Sequence, residues 1–271
     1  MSMIKKALQR ARKDRHEEGH RIPVEQAASE MPGLAEKVRG DTRTKAISLD
    51  HSHIEKHRIV MPSGDPKILD CYNLLRTQVL QRTRDKGYRT IMVTSAVAGE
   101  GKTVTAVNLA VSIARDVQHT VLLVDTDLRN PQIHHYLGCN ATRGLSDYIL
   151  DDVPLAELLV NPGIGKMVVL PAGKSLPGST EILGSPAIKN LVLEMKNRYP
   201  DRYVIFDSPP LLGLPDSLVF SSYIDGIILV VEAGSTPKDQ IRKAIQLLEG
   251  KTILGLVMNK SPEAEQDYYY Y

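Results

Sequence analysis

The chain of 271 residues has no tryptophan, only two phenylalanines and only two cysteines, Cys71 and Cys139. Two cysteines are too few for a disulfide framework or a four-cysteine zinc site, and they fit a reducing compartment. No apolar run approaches the roughly 18 residues that a membrane-spanning helix needs. The charged N-terminus also lacks the apolar segment of a signal peptide. These absences predict a cytoplasmic protein.

The charges nearly cancel, with 34 Lys and Arg against 32 Asp and Glu and a formal net charge of +2. A dedicated nucleic-acid-binding protein is normally strongly basic, so this balance argues against nucleic acid as a partner. With 42% hydrophobic and 24% charged residues, the composition predicts a globular protein with a sizeable core. Tyrosine stands out among the scarce aromatics, because four of the eleven tyrosines are the last four residues.

Residues 1–65 differ in composition from the rest of the chain. They contain no aromatic residue, and residues 1–58 carry 13 Lys and Arg against 9 Asp and Glu. Such a segment cannot bury enough apolar surface to offset its chain entropy, so it is predicted to be a basic, mostly flexible extension. Near its start, four apolar residues recur at helical spacing among basic ones: Ile4, Ala7, Leu8 and Ala11. This pattern predicts a short amphipathic helix that either contacts an anionic membrane or a partner, or stays solvated.

Three histidines lie close together in the second half of this extension: His51, His53 and His57. They lack the cysteine or carboxylate spacing that metal sites show. They are therefore predicted to be loop residues rather than metal ligands.

From residue 66 onward, short β-branched runs alternate with segments of helical periodicity. The predicted strands are 90–95, 120–125, 166–171, 202–207, 226–232 and 252–259, and the predicted helices are 68–86, 102–115, 185–198, 216–223 and 237–249. Continuous apolar strands are typical of a sheet that is buried on both faces. Alternating strands and helices require crossover connections and hence parallel strands. Residues 66–260 are thus predicted to form an α/β domain: a doubly wound, mainly parallel sheet of the P-loop NTPase type with helices on both faces.

The motif with the clearest chemistry follows the first predicted strand and reads Ala96-Val-Ala-Gly-Glu-Gly-Lys-Thr103. It matches the phosphate-binding pattern G-x-x-x-x-G-K-[ST] except that Ala96 replaces the first glycine, and its strand–loop–helix context argues against an incidental glycine turn. Backbone N–H groups of such a loop surround phosphate oxygens at a helix N-terminus. Lys102 is expected to reach the β- and γ-phosphates, and the Thr103 hydroxyl is expected to bind Mg²⁺. The predicted nucleotide-binding residues are Ala98, Gly99, Glu100, Gly101, Lys102, Thr103 and Val104.

Three carboxylates follow apolar strands. Asp125 and Asp127 lie two residues apart at the end of one strand, and Asp207 ends another. The carboxyl ends of parallel strands meet at one sheet edge, where ligands bind in open α/β folds. Converging carboxylates repel one another unless a cation lies between them, which supports Mg²⁺ over separate turn or cap roles. Asn259 ends the last predicted strand and is either an adenine contact or a surface-loop residue.

Together these motifs resemble those of the bacterial tyrosine kinases of capsule and exopolysaccharide systems, over about residues 65–271. The matching segments are residues 96–103 as the family's Walker A motif, 123–129 as its Walker A′ motif, and 205–210, Ile-Phe-Asp-Ser-Pro-Pro, as its Walker B motif. The N-terminal segment Met-Ser-Met-Ile-Lys-Lys-Ala-Leu resembles that of the exosortase-associated tyrosine autokinases.

The resemblance implies roles for the matched residues. Thr103 and Asp125 are expected to hold Mg²⁺, and Asp207 to bind it directly or through water. Asp127 is the expected base toward the attacking tyrosine hydroxyl, whose ordinary pKa of about 10 makes it a poor nucleophile at neutral pH. Lys102 is expected to compensate the charge of the phosphoryl-transfer transition state.

The resemblance also implies that residues 261–271 form an autophosphorylation tail. Residues 261–267 are polar and turn-prone with no apolar anchor, so the tail is predicted to be flexible and to enter the site of a neighbouring subunit. Arg129 either positions the loop and the phosphates or forms a structural ion pair with a nearby Asp. The expected phosphorylation sites are Tyr268, Tyr269, Tyr270 and Tyr271.

Family members that form rings carry a Glu-x-x-Arg-x-x-Arg motif on an interface helix. The corresponding residues here are Asp70, Asn73 and Arg76, which keep the spacing but shorten the acid and lose one positive charge. We therefore expect a homo-oligomer, for which a ring is one possible arrangement. The resemblance further implies a separate transmembrane polysaccharide co-polymerase as an activating adaptor, a cognate tyrosine phosphatase, and peripheral association with the inner membrane.

Two other functions remain open at the level of sequence. Partitioning ATPases of the deviant-Walker group share the fold, but they place a signature lysine early in the loop, and no lysine precedes Lys102 within residues 96–101. A non-catalytic, ATP-gated regulator of polysaccharide export would also use a Mg·ATP site, because nucleotide binding does not require fast phosphate transfer.

Overall fold

The computed structural model describes residues 44–47 and 49–261. The predicted N-terminal amphipathic helix and the four terminal tyrosines lie outside these residues.

The described residues contain one sheet of eight strands: β1 Lys45–Ala46, β2 Thr90–Ser95, β3 Thr120–Asp125, β4 Val160–Asn161, β5 Met167–Leu170, β6 Arg202–Asp207, β7 Gly226–Glu232 and β8 Ile253–Asn259. The strands lie in the order β1-β4-β5-β3-β6-β2-β7-β8, and every neighbouring pair is parallel except β4 and β5. The prediction of a doubly wound, mainly parallel sheet is confirmed.

The helices are α1 His51–Lys56, α2 Pro66–Thr83, α3 Lys102–Ala114, α4 Ile133–Tyr136, α5 Leu145–Asp151, α6 Leu155–Leu158, α7 Ser179–Leu183, α8 Pro186–Asn197, α9 Asp216–Phe220 and α10 Lys238–Leu247, with 3₁₀ turns at Arg84–Lys86 and Ser221–Tyr223. Two of them start with a polar N-cap followed by proline, which favours helix initiation. The Asp65 carboxylate accepts the N–H of Lys67 at the start of α2, and the Ser185 hydroxyl accepts the N–H of Ile188 at the start of α8. Within the described part of the chain, no helix is long and apolar enough to span a membrane.

The core has two layers, one on each face of the sheet. On one face α3 buries residues such as Val107 and Ala110, and α1 and α2 pack beside it. On the other face α8 buries Leu191 and Met195 together with side chains of α9 and α10. The strands between them, such as β2, are buried along their whole length. This explains why the central strands read as continuous apolar runs.

Packed structure begins before residue 66, where the sequence placed the boundary of the folded domain. Ile54 of α1 and the following Ile59 are buried against α3. Asn108 of α3 fixes this segment, since its Oδ1 accepts the N–H of Val60 at 2.8 Å and its Nδ2 donates to the carbonyl of Arg58 at 2.9 Å. The apolar residues involved are too few to give a periodic pattern, and the sequence therefore did not reveal the contact.

The histidines of this segment lie on and beside α1 rather than in a loop. The rings of His53 and His57 stack with centroids 4.1 Å apart, and the ring of His135 from α4 lies edge-on to that of His57 at 4.9 Å. Nε2 of His53 is 2.7 Å from the carbonyl oxygen of His135. In the described residues no group of three or more His, Cys, Asp or Glu side chains is arranged to hold a metal ion. The three rings thus pack α1 against α4.

Candidate active site

The predicted acidic residues meet at the carboxyl edge of the sheet. Asp125 at the end of β3 is in register with Asp207 at the end of β6, and Asp207 is also in register with Val93 of β2. The phosphate loop (residues 96–103) leaves the same edge directly after β2 and leads into α3. The three strand ends therefore bring the carboxylates and the loop together, as the strand pattern predicted.

The two glycines of the phosphate loop have left-handed backbone conformations. Gly99 has φ +88° and Gly101 has φ +89°, values that residues with a Cβ rarely adopt. At Gly101 a Cβ would also collide with Nδ2 of Asn259. Ala96 is buried and has no positive φ, so the loop keeps its shape without the usual first glycine.

Glu100 points into the protein rather than toward the site. Its side chain is buried, and Oε2 accepts the N–H of Val97 within the same loop at 2.8 Å. Oε1 accepts the hydroxyl of Thr236 and, at 3.4 Å, the N–H of Glu232. The side chain thus braces the loop, which leaves only the backbone of Glu100 to contact a phosphate.

The end of β8 contacts the outer side of the phosphate loop. Nδ2 of Asn259 donates to the carbonyl of Glu100 at 2.8 Å, and Nζ of Lys260 donates to the carbonyl of Gly99 at 2.8 Å. Nζ of Lys260 also forms an ion pair with Glu232 at 2.9 Å. Asn259 is therefore not a free surface residue, and its amide donor is engaged by the loop.

Lys102 lies among the carboxylates. Its Nζ is 2.9 Å from Oδ2 of Asp127 and 3.6 Å from Oδ1 of Asp207. Burial works against the charged ammonium, but the negative charges of Asp207, Asp127 and Asp125 outweigh it and raise the pKa of Lys102 above its ordinary value. Lys102 is thus held as a cation at the point where the phosphates are expected.

Thr103 and Asp207 form the best-placed donor set for a magnesium ion. The Thr103 hydroxyl donates to Oδ2 of Asp207 at 2.7 Å, whereas Oδ1 of Asp207 is buried, faces the Lys102 ammonium at 3.6 Å and accepts no hydrogen bond. A buried carboxylate oxygen without a hydrogen bond gains free energy when a metal ion or water binds it. Mg²⁺ prefers such oxygen ligands and completes its shell with phosphate oxygens and water, so these residues fit it.

The Asp125 carboxylate accepts hydrogen bonds from its own loop. Oδ1 accepts the N–H of Asp127 at 3.1 Å, and Oδ2 accepts the N–H groups of Gln132 and Ile133, both at 3.0 Å. Burial raises the pKa of Asp125 to about 7, and the charge of Asp207 adds to this shift, while the N–H donors oppose it. Asp125 therefore organises residues 125–133, named here the acidic loop, besides standing beside the expected metal.

Asp127 is nearly buried and reaches the site through Lys102. Its Oδ1 accepts the N–H of Asn130 at 3.1 Å, which fixes the carboxylate within the acidic loop. Its Oδ2 faces the ammonium of Lys102. The structure thus places the Asp127 carboxylate next to the lysine of the phosphate loop.

Of the two roles considered for Arg129, the structure shows the ion pair. Nε lies 3.2 Å from Oδ1 of buried Asp216, and a terminal nitrogen donates to the Thr180 hydroxyl at 3.1 Å. Ser179 and Thr180 of α7 also donate to Asp216. Hydrogen bonds from these groups lower the pKa of Asp216 despite its burial. This network anchors the acidic loop to α7 and α9, and no sequence spacing predicted it.

The three residues expected at an oligomer interface lie on α2, but two of them contact α3 of the same chain. Arg76 donates to the carbonyl of Ser112 at 2.9 Å, and Asn73 accepts the Ser112 hydroxyl at 3.2 Å. Asp70 is exposed. An interface through α2 therefore remains a prediction, and Asp70 is the exposed residue of the three.

A cavity of about 690 Å³ opens beside the phosphate loop. Gly99, Gly101 and Val104 line one side, and Asn259 and Lys260 line another. Ligand pockets generally measure 300–1,000 Å³, so the cavity has room for the base and ribose of a nucleotide whose phosphates lie in the loop.

Comparisons with known proteins agree with this geometry. The family model described as an AAA domain matches residues 88–248. Tyrosine-protein kinase YwqD of Bacillus subtilis is 34% identical over 219 residues, which cover 79% of this chain and 91% of YwqD. The succinoglycan biosynthesis transport protein ExoP of Rhizobium meliloti is 31% identical over 186 residues, which are 67% of this chain and 23% of ExoP.

Among solved structures, the chimerical protein CapA2B2 superimposes with a TM-score of 0.70 at 28% identity, covering 80% of this chain and 93% of CapA2B2. The match to YwqD spans nearly all of that kinase and includes the phosphate loop and the acidic strand ends described above. The chain therefore belongs to the bacterial tyrosine-protein kinase family.

Proposed function

We propose that this protein is a protein-tyrosine autokinase of the bacterial P-loop type, which transfers the γ-phosphate of ATP to Tyr268–Tyr271. The observation that carries the proposal is the meeting of Lys102 and Thr103 with Asp127 and Asp207 at one sheet edge, in a chain of the tyrosine-kinase family. Lysine, threonine and carboxylates in this arrangement serve phosphoryl transfer.

ATP and Mg²⁺ are the proposed cofactors. The phosphates would lie in the phosphate loop, with the nucleoside in the adjoining cavity. Thr103 and Asp207 would hold Mg²⁺ directly, and Asp125 would act through water, because its oxygens already accept three N–H groups. When bound, the ion neutralises charge on the phosphates.

In the transfer, the bond between the γ-phosphorus and the bridging oxygen breaks and ADP leaves, while a new bond forms to the tyrosine oxygen. The phenolic proton passes to Asp127, whose carboxylate lies 2.9 Å from Nζ of Lys102. Lys102 stays protonated throughout because the carboxylates raise its pKa. Its charge compensates the transferring phosphoryl group.

The tail of one copy would enter the site of another, so a homo-oligomer is part of the proposal. ExoP is named a transport protein of succinoglycan, a polysaccharide, and this chain matches less than a quarter of it. This supports regulation of exopolysaccharide or capsule production together with a separate membrane-embedded co-polymerase, which would recruit the kinase to the inner membrane. A tyrosine phosphatase would reverse the modification.

A partitioning ATPase is not favoured. The phosphate loop has no lysine before Lys102, and the segment between Ala96 and Gly101 is braced by the Glu100 carboxylate instead. A non-catalytic regulator makes a different experimental prediction, which the following test includes.

The test is incubation of the purified full-length protein with Mg·ATP, followed by mass spectrometry of its tyrosine peptides. We expect phosphate on residues 268–271, lost in Lys102→Met and in Asp127→Asn, and retained in Lys251→Met. Lys251 is a matched control because it precedes β8, and its Nζ donates to Ser222 at 3.0 Å, outside the phosphate loop and the acidic loop. Circular dichroism establishes that each variant folds. An unmodified tail with phosphate released only to water would contradict the proposal, as would modification that persists in both site variants.

A further inference from the structure

Two carbonyl groups of the phosphate loop accept hydrogen bonds from side chains at the end of β8. Nδ2 of Asn259 donates to the carbonyl of Glu100, and Nζ of Lys260 donates to that of Gly99, both at 2.8 Å. These two side chains are named here the clasp.

Because a peptide unit is planar, the clasp fixes the orientation of the neighbouring N–H groups as well as the two carbonyl oxygens. The carbonyl of Gly99 shares its plane with the N–H of Glu100, and the carbonyl of Glu100 shares its plane with the N–H of Gly101. A donor that holds each carbonyl outward therefore holds the next N–H on the opposite side, where phosphate oxygens bind. If either plane rotated, a carbonyl oxygen would face the phosphates in place of an N–H.

The sequence makes such rotation easy without the clasp. Gly99 and Gly101 flank both planes and lack the Cβ that restricts backbone rotation. The Glu100 side chain braces the loop through Val97 and Thr236, but it contacts neither carbonyl. We therefore infer that the donors from β8 fix the orientation of the two peptide planes.

Lys260 itself is held in an uncommon backbone conformation. Its φ is +58°, in the left-handed region that non-glycine residues rarely adopt. Its ammonium bridges the Gly99 carbonyl and Glu232 at the end of β7. Glu232 is in turn in register with Asn259 on the neighbouring strand. The ends of β7 and β8 thus form a rigid support for the clasp.

We propose that Asn259 and Lys260 are positioning residues for the phosphate loop, which hold two of its peptide planes with their N–H groups toward the phosphates and thereby set the affinity for nucleotide. This role differs from that of an adenine contact, because it acts on the phosphates. It rests on the nucleotide site of the proposed function.

The test compares binding of the non-hydrolysable ATP analogue AMP-PNP with binding of adenosine, which has the base and ribose but no phosphate. Two variants each remove one donor: Asn259→Asp puts an acceptor against the Glu100 carbonyl, and Lys260→Met keeps length without charge. We expect the AMP-PNP dissociation constant to rise about tenfold or more in each, since the lost donor no longer holds its peptide plane. Because both side chains also line the cavity beside the loop, adenosine is the internal reference, and its affinity should fall by a clearly smaller factor than that of AMP-PNP.

Two controls separate positioning from general structural support. Lys260→Arg keeps a cationic donor and should retain AMP-PNP affinity within about threefold. Lys251→Met removes a lysine with one hydrogen bond at the opposite end of β8 and should change nothing. Melting temperatures should differ by no more than about 3 °C among the variants, as expected for a single partly exposed hydrogen bond.

If the affinities for AMP-PNP and adenosine fell by the same factor, Asn259 would be a base contact and the clasp would be overturned. Unchanged AMP-PNP affinity in both donor variants would also overturn it. If one variant fails to fold, the other carries the test, because each donor holds a different carbonyl. A protein that binds AMP-PNP but leaves its tyrosines unmodified would overturn the kinase proposal and leave the clasp standing. A protein that binds no AMP-PNP would overturn both.

Discussion

The phosphate loop and the acidic loop lie side by side at the same sheet edge, but their functional groups are held in different ways. The two carboxylates of the acidic loop are held from within, because Asp125 and Asp127 accept N–H groups from residues at most eight positions further along the chain, and Arg129 adds a distant anchor at Asp216. The phosphate loop is held largely from outside, by residues 232–236 and 259–260.

The difference follows from what each loop must present. The N–H groups of the phosphate loop must stay free for phosphate oxygens, and its support therefore comes through carbonyls and one buried side chain. The acidic loop presents carboxylates, which can accept local N–H groups and still carry negative charge toward a cation. The carbonyls of the phosphate loop are therefore paired by distant donors, whereas the carboxylates of the acidic loop are held by N–H groups of their own loop.

The largest expected effect is on stability and concerns the acidic loop. Asp125→Ala leaves three N–H groups without their acceptor, two of which belong to the buried residues Asp127 and Ile133. We expect the free energy of unfolding in urea, without metal or nucleotide, to fall by about 2–4 kcal/mol. Asp239→Ala is the control, since that carboxylate is exposed and its ion pair should contribute less than about 1 kcal/mol. Equal effects would mean that Asp125 does not hold the loop.

The second prediction concerns how the free energy of unfolding depends on pH through the Asp125 carboxyl. The pKa of Asp125 is about 7 in the folded protein against 3.8 ordinarily, so the folded state binds more protons between these values. The carboxyl therefore contributes stability that is complete below pH 3.8 and is lost as the pH rises through 7. Between pH 5 and 8, without Mg²⁺, unfolding free energy should fall by about 1–3 kcal/mol more in the unaltered protein than in Asp125→Asn. Parallel pH profiles would contradict the raised pKa.

The smallest expected effect concerns the external support of the phosphate loop. Thr236→Val removes the hydroxyl that donates to Glu100 but keeps the shape of the side chain. We expect a loss of about 1 kcal/mol in stability and a two- to fivefold rise in the KM for ATP. Thr77→Val is the control, because its hydroxyl bonds only within α2, to the carbonyl of Asn73. A rise in KM in both variants, or in neither, would remove Thr236 from the support of the loop.

The same comparison explains how much could be predicted from the sequence. The central strands follow from their apolar runs, and the position of the three acids follows from their placement at strand ends. Two edge strands, β1 and β4, have two residues each and give no periodic pattern. The partners of Glu100 and Arg129 lie 136 and 87 residues away, at Thr236 and Asp216, and no local spacing identifies them. Asn259 was noticed as a strand-end residue, but its contact with the phosphate loop depends on how β8 packs.

The path of residues 45–60 has a mechanical consequence. This segment starts at β1, the outermost strand on one side of the sheet. It ends where the Asn108 side chain forms hydrogen bonds with Arg58 and Val60. Asn108 lies six residues beyond Lys102 on the same rigid helix, a distance of about 9 Å at 1.5 Å per residue. Asn108 thus couples residues 58–60 to the helix that begins at the phosphate loop. A change in the packing of these residues would act within two helical turns of Lys102.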